Sequence, residues 1–404
     1  MHADFRHRPA PGPKQTGSAT LVMSLVLLVL MTMVAVYTGR TVLLEEKIAG
    51  NDFRARQAFE AAESGLSTAV AYMASGYDKD NDGNADPVID TDDDGIGDVN
   101  ALTFSDNSSV TVTVTGAFPA FALQSVGVSD DLTATRTVRT RMSTVDVLPN
   151  APDNPLTARG SVAIDGSATI HNPEGHSTIW SGGDVDLGAN NSTATEVADP
   201  TDSNYPTCMD TPMTCSLTPS SSKIAVGLDV VEHDASLANL TAEQMFYNFF
   251  GTTMDIFRDS RVTREVAPAD ANNLASASTP GINLGVGEVI WVEGDTVLSN
   301  SVTVGCSVAL SGSATCPSAS VNPTVLIING DLTTSGTPNF YGLVYVTGHM
   351  EMSSNTTVTG ALIVAGDTVN HGGGSLDAWY NSAVLNQVRD NGPLAGAPGS
   401  WQDW

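Results

Sequence analysis

The sequence predicts a mainly β chain carried on one long N-terminal α-helix, with a β-helix-like (solenoid) domain toward the C-terminus. Three observations predict this class. A charge-free apolar run follows a basic leader, two later stretches alternate apolar and polar residues, and a glycine-marked apolar motif recurs every 18 residues near the C-terminus. Composition agrees. Of 404 residues 41% are hydrophobic, enough for a core, yet only 6% are aromatic, and Gly, Ser, Thr and Asn abound. That mix favours strands and turns over a helical enzyme.

The N-terminal element comes first. Leu21–Tyr37 carry no charge; with Ser18–Thr20 they make about 20 residues, the length that spans a bilayer as a helix. The leader before them holds Arg6, Arg8 and Lys14, which keeps it cytoplasmic and sends the bulk of the chain across. No small-residue cleavage site of the A-x-A kind follows the apolar run, as a secretory signal peptide requires. Gly17 instead sits ahead of it, so a cut there leaves the helix on the mature chain. Beyond the run, Leu43, Leu44, Ile48, Phe59, Ala62, Leu66, Ala69 and Val70 recur at helical spacing among interleaved Glu, Lys and Arg. The spacing predicts one helix over 18–76, with its membrane segment at 19–38 and Gly50-Asn51 as the place for a break. On the apolar pattern alone, a plain signal anchor followed by a stalk is the alternative.

The stretches GSATLVMSLVLLVLMTMVAV and TVLLEEKIAGNDFRARQAFEAAESGL narrow this choice. Residues 17–66 resemble the N-terminal module of the PilX-type minor pilins of type IV pili. The resemblance covers one eighth of the chain. It implies a prepilin leader over 1–17, cut by a prepilin peptidase between Gly17 and Ser18, with N-methylation of Ser18. It implies a single-pass inner-membrane protein of a Gram-negative bacterium, its bulk periplasmic before assembly and then on the pilus surface. Other pilins and the assembly machinery are the implied partners. Major pilins carry a Glu at the position of Val22, and the apolar run here has no carboxylate. An unpaired carboxylate in lipid is costly, and its absence points to a tip or priming subunit rather than the bulk filament subunit.

Charge excludes another class. The net charge is -28, and seven of the 17 Lys and Arg lie in residues 1–56. A surface this acidic repels nucleic-acid phosphates and attracts cations. The four cysteines form two close pairs, Cys208 with Cys215 and Cys306 with Cys316. Neither spacing is the C-x-x-C of a zinc or redox site, and short-loop disulfides in an oxidising compartment are the reading. Four buried free thiols are the alternative.

Residues 77–99 form an acidic segment. Two copies of D-x-D-x-D-G-x-x-D begin at Asp78 and Asp90. Asp78, Asp80, Asp82 and Asp86 supply one set of carboxylates, and Asp90, Asp92, Asp94 and Asp98 the other. Gly83 and Gly95 permit the sharp turns. Hard oxygen ligands at alternate positions suit Ca²⁺, and the segment resembles thrombospondin type-3 calcium repeats. Ile89 stands where an EF-hand has its bidentate Glu. A solvated acidic linker is the alternative.

A β-rich connecting domain is expected over 100–149, where VTVTVTG and TATRTVRTRMSTVDV alternate. NAPDNP at 150–155 reads as a linker, and 150–404 as the solenoid domain. There VIWVEGD, SVALSGS, VLIINGD, LVYVTGH and ALIVAGD start at Val289, Ser307, Val325, Leu343 and Ala361, with glycines in register. A short apolar strand and a glycine turn at fixed period mark stacked coils, and a β-sandwich is the alternative. SVAIDGSATI and TIWSGGDVDLG share the flavour without the register. Leu240–Phe257 predicts a helix, capped by Thr241 with Gln244.

No catalytic constellation stands out. Asp331, Glu351 and Asp367 fall at or next to turn glycines, where polysaccharide-cleaving β-helix enzymes would need paired carboxylates, but aspartates sit beside turn glycines for turn reasons alone. His171, Glu174 and His176 have no recurrent ligand spacing and read as a surface loop. The expectation is a non-enzymatic structural and adhesive subunit. A membrane-anchored β-helix enzyme acting on polysaccharide and a calcium-binding surface adhesin are the alternatives.

Overall fold

The computed structural model describes residues 17–75, 86–91, 96–117, 119–175, 177–188, 192–203, 216–273, 288–305, 323–370 and 374–403. Helix α1 runs without interruption over Gly17–Ser75. Gly50 does not break it; a single helical glycine costs about 1 kcal/mol, and a helix held by packing beyond that point absorbs the cost.

An antiparallel meander of β1 (Ala101–Thr103), β2 (Ser109–Ala117), β3 (Ala120–Val128) and β4 (Thr135–Thr144) lies on the C-terminal part of α1. The alternation seen in the sequence sets its faces. Val110 and Val112, Phe121 and Leu123, and Val138 and Met142 turn toward the helix and share a core with Leu66, Ala69 and Met73.

Past Thr144 the chain enters a parallel β-domain in two legs. The first leg is β5 (Leu156–Ala158), β6 (Val162–Ala163), β7 (Thr169–Asn172), β8 (Ile179–Ser181), β9 (Val185–Asp186), β10 (Ala194–Ala198), β11 (Leu217–Ser222) and β12 (Val230–Val231). Helices α2 (Ala235–Ala238), α3 (Ala242–Phe250) and α4 (Met254–Arg261) then lead to β13 (Arg264–Val266). The second leg is β14 (Val289–Glu293), β15 (Thr296–Leu298), β16 (Thr303–Val304), β17 (Thr324–Asn329), β18 (Leu332–Thr334), β19 (Asn339–Val346), β20 (Met350–Met352), β21 (Thr356–Val364), β22 (Thr368–Asn370) and β23 (Leu376–Tyr380). Helix α5 (Ser382–Arg389), β24 (Leu394–Gly396) and β25 (Gln402–Asp403) end the described chain.

The strands join in three parallel ladders. One runs β13-β14-β17-β19-β21-β5-β8-β12, a second β15-β18-β20-β22-β6-β9, and a third β16-β19-β21-β23-β7-β10. β19 and β21 belong to two ladders because each turns a corner, at Gly342 (φ 135°) and Gly360 (φ 128°). None of the sheets closes on itself among the described residues.

The 18-residue period is the ladder register. Val325 pairs with Leu343 and Leu343 with Ala361. Val289, however, pairs directly with Val325. The copy beginning at Ser307 therefore does not stand between β14 and β17; its residues lie outside those described. The other four copies place Val289, Val325, Leu343 and Ala361 in an apolar cluster under the helices. SVAIDGSATI, by contrast, extends the same ladders: Val162 pairs with Thr368 and Thr169 with Asp377, and just ahead of it Leu156 pairs with Leu362. The two legs thus meet at a seam between residues about 200 apart in sequence.

The first ladder explains the four-residue apolar runs. Ile290, Val292, Leu326, Ile328, Val344 and Val346 turn into the interior between the ladders. Trp291, Ile327, Tyr345 and Ile363 turn outward, beneath helices α2 to α5. A strand covered on both faces is apolar throughout. Phe246 of α3 meets Trp291 and Tyr345, Phe250 of α3 meets Tyr345, and Phe257 of α4 meets both phenylalanines, with ring centroids 4.8 to 6.3 Å apart. The stretch Leu240–Phe257 is thus two helices, not one, because Gly251 at φ 68° ends α3. The Thr241–Gln244 capping box is present.

The glycines at the turns serve close approach. A Cβ on Gly330, Gly348 or Gly366 would come within 2.5 to 2.7 Å of backbone at the neighbouring turn of the ladder, so these turns approach backbone on backbone.

The boundary 150–404 needs correction. β24 and β25 both pair with β4. The parallel domain is therefore an insertion, and residues 394–403 complete the meander's sheet. Strands of three and two residues in a Gly/Pro-rich tail leave no periodic signal.

Candidate functional site

Helix α1 has three zones. From Leu21 to Tyr37 its large apolar side chains are all exposed, and an 18-residue window reaches a mean hydropathy of 2.6 with none of it buried. Further on, Val42, Leu43, Leu44, Ile48 and Phe53 also remain exposed. From Ala58 one stripe is buried: Ala58, Ala62, Leu66, Ala69 and Met73. Spacings of three and four residues put these on one face.

Small residues make that face close-fitting. A Cβ on Gly127 of β3 would lie 2.1 Å from the Ala58 carbonyl and 2.4 Å from the Ala62 nitrogen. A Cβ on Gly65 would lie 2.4 Å from Val110 Cγ2. Helix and sheet backbones therefore approach without a side chain between them. Polar contacts mark where the helix enters the head. Arg54 Nε lies 2.6 Å from Asp131 Oδ2. Gln57 donates to Asp106 at 2.9 Å and accepts from the Asp130 amide at 3.1 Å. Hydrogen bonds from Thr133 and the charge of Arg54 hold Asp131 below the usual carboxylate range.

Gly17 is the first helical residue. Of the eight aspartates expected to bind a cation, Asp86, Asp90 and Asp98 are described; Asp78, Asp80, Asp82, Asp92 and Asp94 lie outside the described residues. The described part is tied to the helix. Ile89 and Val99 form an antiparallel bridge. Tyr72 on α1 donates to buried Asp86 at 2.8 Å and accepts from the Gly97 amide at 2.8 Å. The amide and hydroxyl of Thr91 donate to Asp98 Oδ2 at 2.9 and 2.6 Å, which holds Asp98 below its ordinary range. Burial, then the bond to Asp86, push the Tyr72 hydroxyl up to about 12. Two of the expected metal carboxylates thus already have protein donors on one oxygen, and no group of three metal-binding side chains occurs among the described residues. Cys208, Cys215, Cys306 and Cys316 lie outside the described residues.

The turn aspartates are engaged by backbone. Asp295 accepts from the amide of Asp331, Asp331 from that of His349, and Asp367 from that of Ser161, at 2.7 to 2.9 Å. Each links neighbouring turns across the ladder, which is the turn reading of these residues. His171 departs from expectation. It lies in β7, not in a surface loop, and is buried. Glu174 follows it and accepts from the Ser382 amide at 2.7 Å; His176 lies outside the described residues. No motif marks Asp229 in the sequence. Burial alone would raise its pKa, but hydroxyls of Ser220, Ser221, Thr178 and Thr195 donate to it at 2.5 to 2.7 Å and hold it low. It fastens β11 to β8 at the end of the stack.

Residues 16–67 match the PilX N-terminal family model. They are a pilin-type N-terminal module. The module covers the apolar zone, the exposed zone and the start of the head-bound stripe. The competence-associated pilin ComZ from Thermus thermophilus aligns with 87% of this chain and 98% of its own, at 13% identity and a TM-score of 0.30, a likeness too loose to say what this chain does. No curated protein matches the chain.

Tyr72→Phe removes the partner of a buried carboxylate and of the Gly97 amide, and is expected to destabilise the head by about 1–3 kcal/mol. The raised Tyr72 pKa favours folding while the hydroxyl stays protonated. That contribution is present below about pH 10, the free value, and is lost as pH rises through about 12. Denaturation of wild type and variant across this alkaline range checks both: the gap between them should close toward pH 12, and an equal gap throughout would contradict the assignment.

Proposed function

We propose that this protein is a minor pilin of a type IV pilus, held in the inner membrane by α1 before assembly and then packed in the filament through the same helix. One observation carries the reading: α1 leaves every large apolar side chain from Leu21 to Phe53 uncovered while its last turns are the core of the head. Lipid covers the first part of such a helix before assembly, and neighbouring pilin helices cover it in a filament. Leader removal by a prepilin peptidase between Gly17 and Ser18, and N-methylation of Ser18, belong to this reading. So does a periplasmic then surface location in a Gram-negative cell. Val22 in place of a Glu, together with an inserted domain larger than the head itself, supports few copies, with the tip as their place. We take the three parallel ladders as one solenoid, an adhesive or spacing element without enzymatic activity.

Calcium is part of the proposal. Asp86 and Asp98 frame the acidic segment from positions fixed by Tyr72 and Thr91, so ligands between them would bind from a prepared base. Ca²⁺ there would relieve repulsion among nine aspartates in residues 77–99.

Two experiments test these points. Gly17→Val should leave uncleaved precursor in the inner membrane, and wild-type protein from sheared pili should begin at Ser18; a mature chain that still begins at Met1 contradicts the assignment. Calorimetry of the full chain in detergent should show Ca²⁺ binding on the order of 10⁻⁴–10⁻³ M that Asp80→Ala with Asp92→Ala removes. Identical heats from both proteins would make the segment a solvated linker.

A further inference from the structure

Strand β4 concentrates the positive charge of the head. Ten Lys and Arg follow residue 56, and Arg136, Arg139 and Arg141 stand together in this strand. Elsewhere in the folded part arginines are engaged. Arg54 meets Asp131, Arg258 meets Glu265 and Glu293, Arg264 meets Glu288, and Arg389 meets Asp146, at 2.6 to 3.1 Å. Arg159 and Arg261 donate to backbone carbonyls. No carboxylate among the described residues comes within ion-pair distance of Arg139 or Arg141, in a chain with 45 Asp and Glu.

Alternation puts these two on the outer face of the meander. Val138, Thr140 and Met142 are buried on the side of α1, so Arg139 and Arg141 between them turn to solvent, and both are exposed. The register builds the face around them. Thr113, Gln124, Arg139 and Gln402 lie in one row across four strands, and Thr115, Ala122 and Arg141 in the next. None of these is a carboxylate. Asp403 pairs with Val138 and lines a groove on the helix side with Arg136 and Phe59. Gln124 accepts from Arg139 Nε at 2.9 Å, which holds the guanidinium on the sheet and leaves its terminal nitrogens for a partner. Arg141 stands across from Ala122, whose short side chain leaves room beside it.

We propose that this face docks an extended acidic segment of a different protein, its alternate carboxylates on Arg139 and Arg141. The two arginines are two residues apart on a strand, a repeat of about 6.7 Å. An extended segment with carboxylates at alternate residues has the same repeat, and each carboxylate can take a guanidinium fork through two parallel hydrogen bonds. Length decides between kinds of anion. At about 0.1 M salt the screening length is about 10 Å, so a short segment on this face feels the two arginines above all. A nucleic acid or a long anionic glycan would run off the patch onto a chain of net charge -28 and be repelled. The chain's own acidic segment is held elsewhere. Its described ends are tied through Asp86 to Tyr72 and through Asp98 to Thr91, just ahead of β1, and β1 is the edge of the sheet away from β4.

The test titrates the full-length protein in detergent, at about 0.1 M salt, with a fluorescent peptide of repeated Asp-Thr. The peptide should bind, and Arg139→Gln with Arg141→Gln should weaken it about tenfold, the loss expected for two exposed ion pairs. Arg389→Gln, which removes an arginine already paired with Asp146, should bind like wild type. A peptide of equal charge with Asp at every third residue should bind severalfold more weakly. No binding by wild type, unchanged binding by the double variant, or equal binding of the second peptide would overturn the proposal. So would tighter binding of a single-stranded oligonucleotide of equal charge. Sedimentation checks the source of the partner: self-association of the wild type that the double variant abolishes would put a second copy on this face and overturn the assignment to a different protein. Should the double variant fail to fold, Arg141→Gln alone decides, with a loss of about threefold.

Discussion

Ala58, Ala62 and Gly127 meet with no room for a side chain between helix and sheet. That contact constrains the rest of the molecule. It forces the residues facing it to be small, so the stripe begins Ala58–Ala62 and is flanked by Gly65, and Leu66 and Met73 continue it into the shared core. It fixes β3 against α1, and β2 and β4 follow through the ladder. Because the grip begins at Ala58, some 40 residues of the same helix are left without cover from the head. A helix so long and so apolar in its first part needs lipid or other helices around it. One helix thus carries both an uncovered apolar part and the core of the head, and a bulky residue at Gly127 would disturb the fit of helix on sheet.

The inserted domain obeys a second constraint. It must leave the sheet after β4 and return beside it, because β24 and β25 complete that sheet. The first leg builds away from the seam, the helices lead back along the outward face of the first ladder, and the second leg builds toward the seam again. The excursion therefore begins and ends near the head. The cover of helices makes the first ladder apolar on both faces. The second ladder keeps solvent on one side and reads as Leu-Thr-Thr and Met-Glu-Met.

What was legible in the sequence follows from these constraints. Helix α1 was visible because a charge-free run and a helical stripe are both local. β2 and β4 were visible because a sheet with one wet face alternates. The 18-residue period is visible because buried strands and their turn glycines repeat along the ladder. The seam was hidden, since pairing Leu156 with Leu362 leaves no mark in either segment. So were β24 and β25, too short for any period. At the site, Tyr72 read as one more residue of the helix, and nothing in its spacing disclosed Asp86 as its partner. His171 was misread as loop because Pro173 and Gly175 follow it, although the strand ends just before them. The aspartates between Asp86 and Asp98, and those from Asp78 to Asp82, carry a ligand pattern that only binding can test.

In the proposed reading α1 serves two environments, its first part the lipid and its last turns the head, with a stretch between left for neighbouring subunits. Hydrogen exchange on the full-length protein in nanodiscs, away from other pilins, tests this most directly. The account predicts three zones: strong protection over 19–38 from the bilayer, weaker protection over 39–56 from the helix alone, and strong protection again over 58–73 from the head. Fast exchange over 58–73, or protection over 39–56 equal to that of its flanks in the isolated subunit, would contradict it.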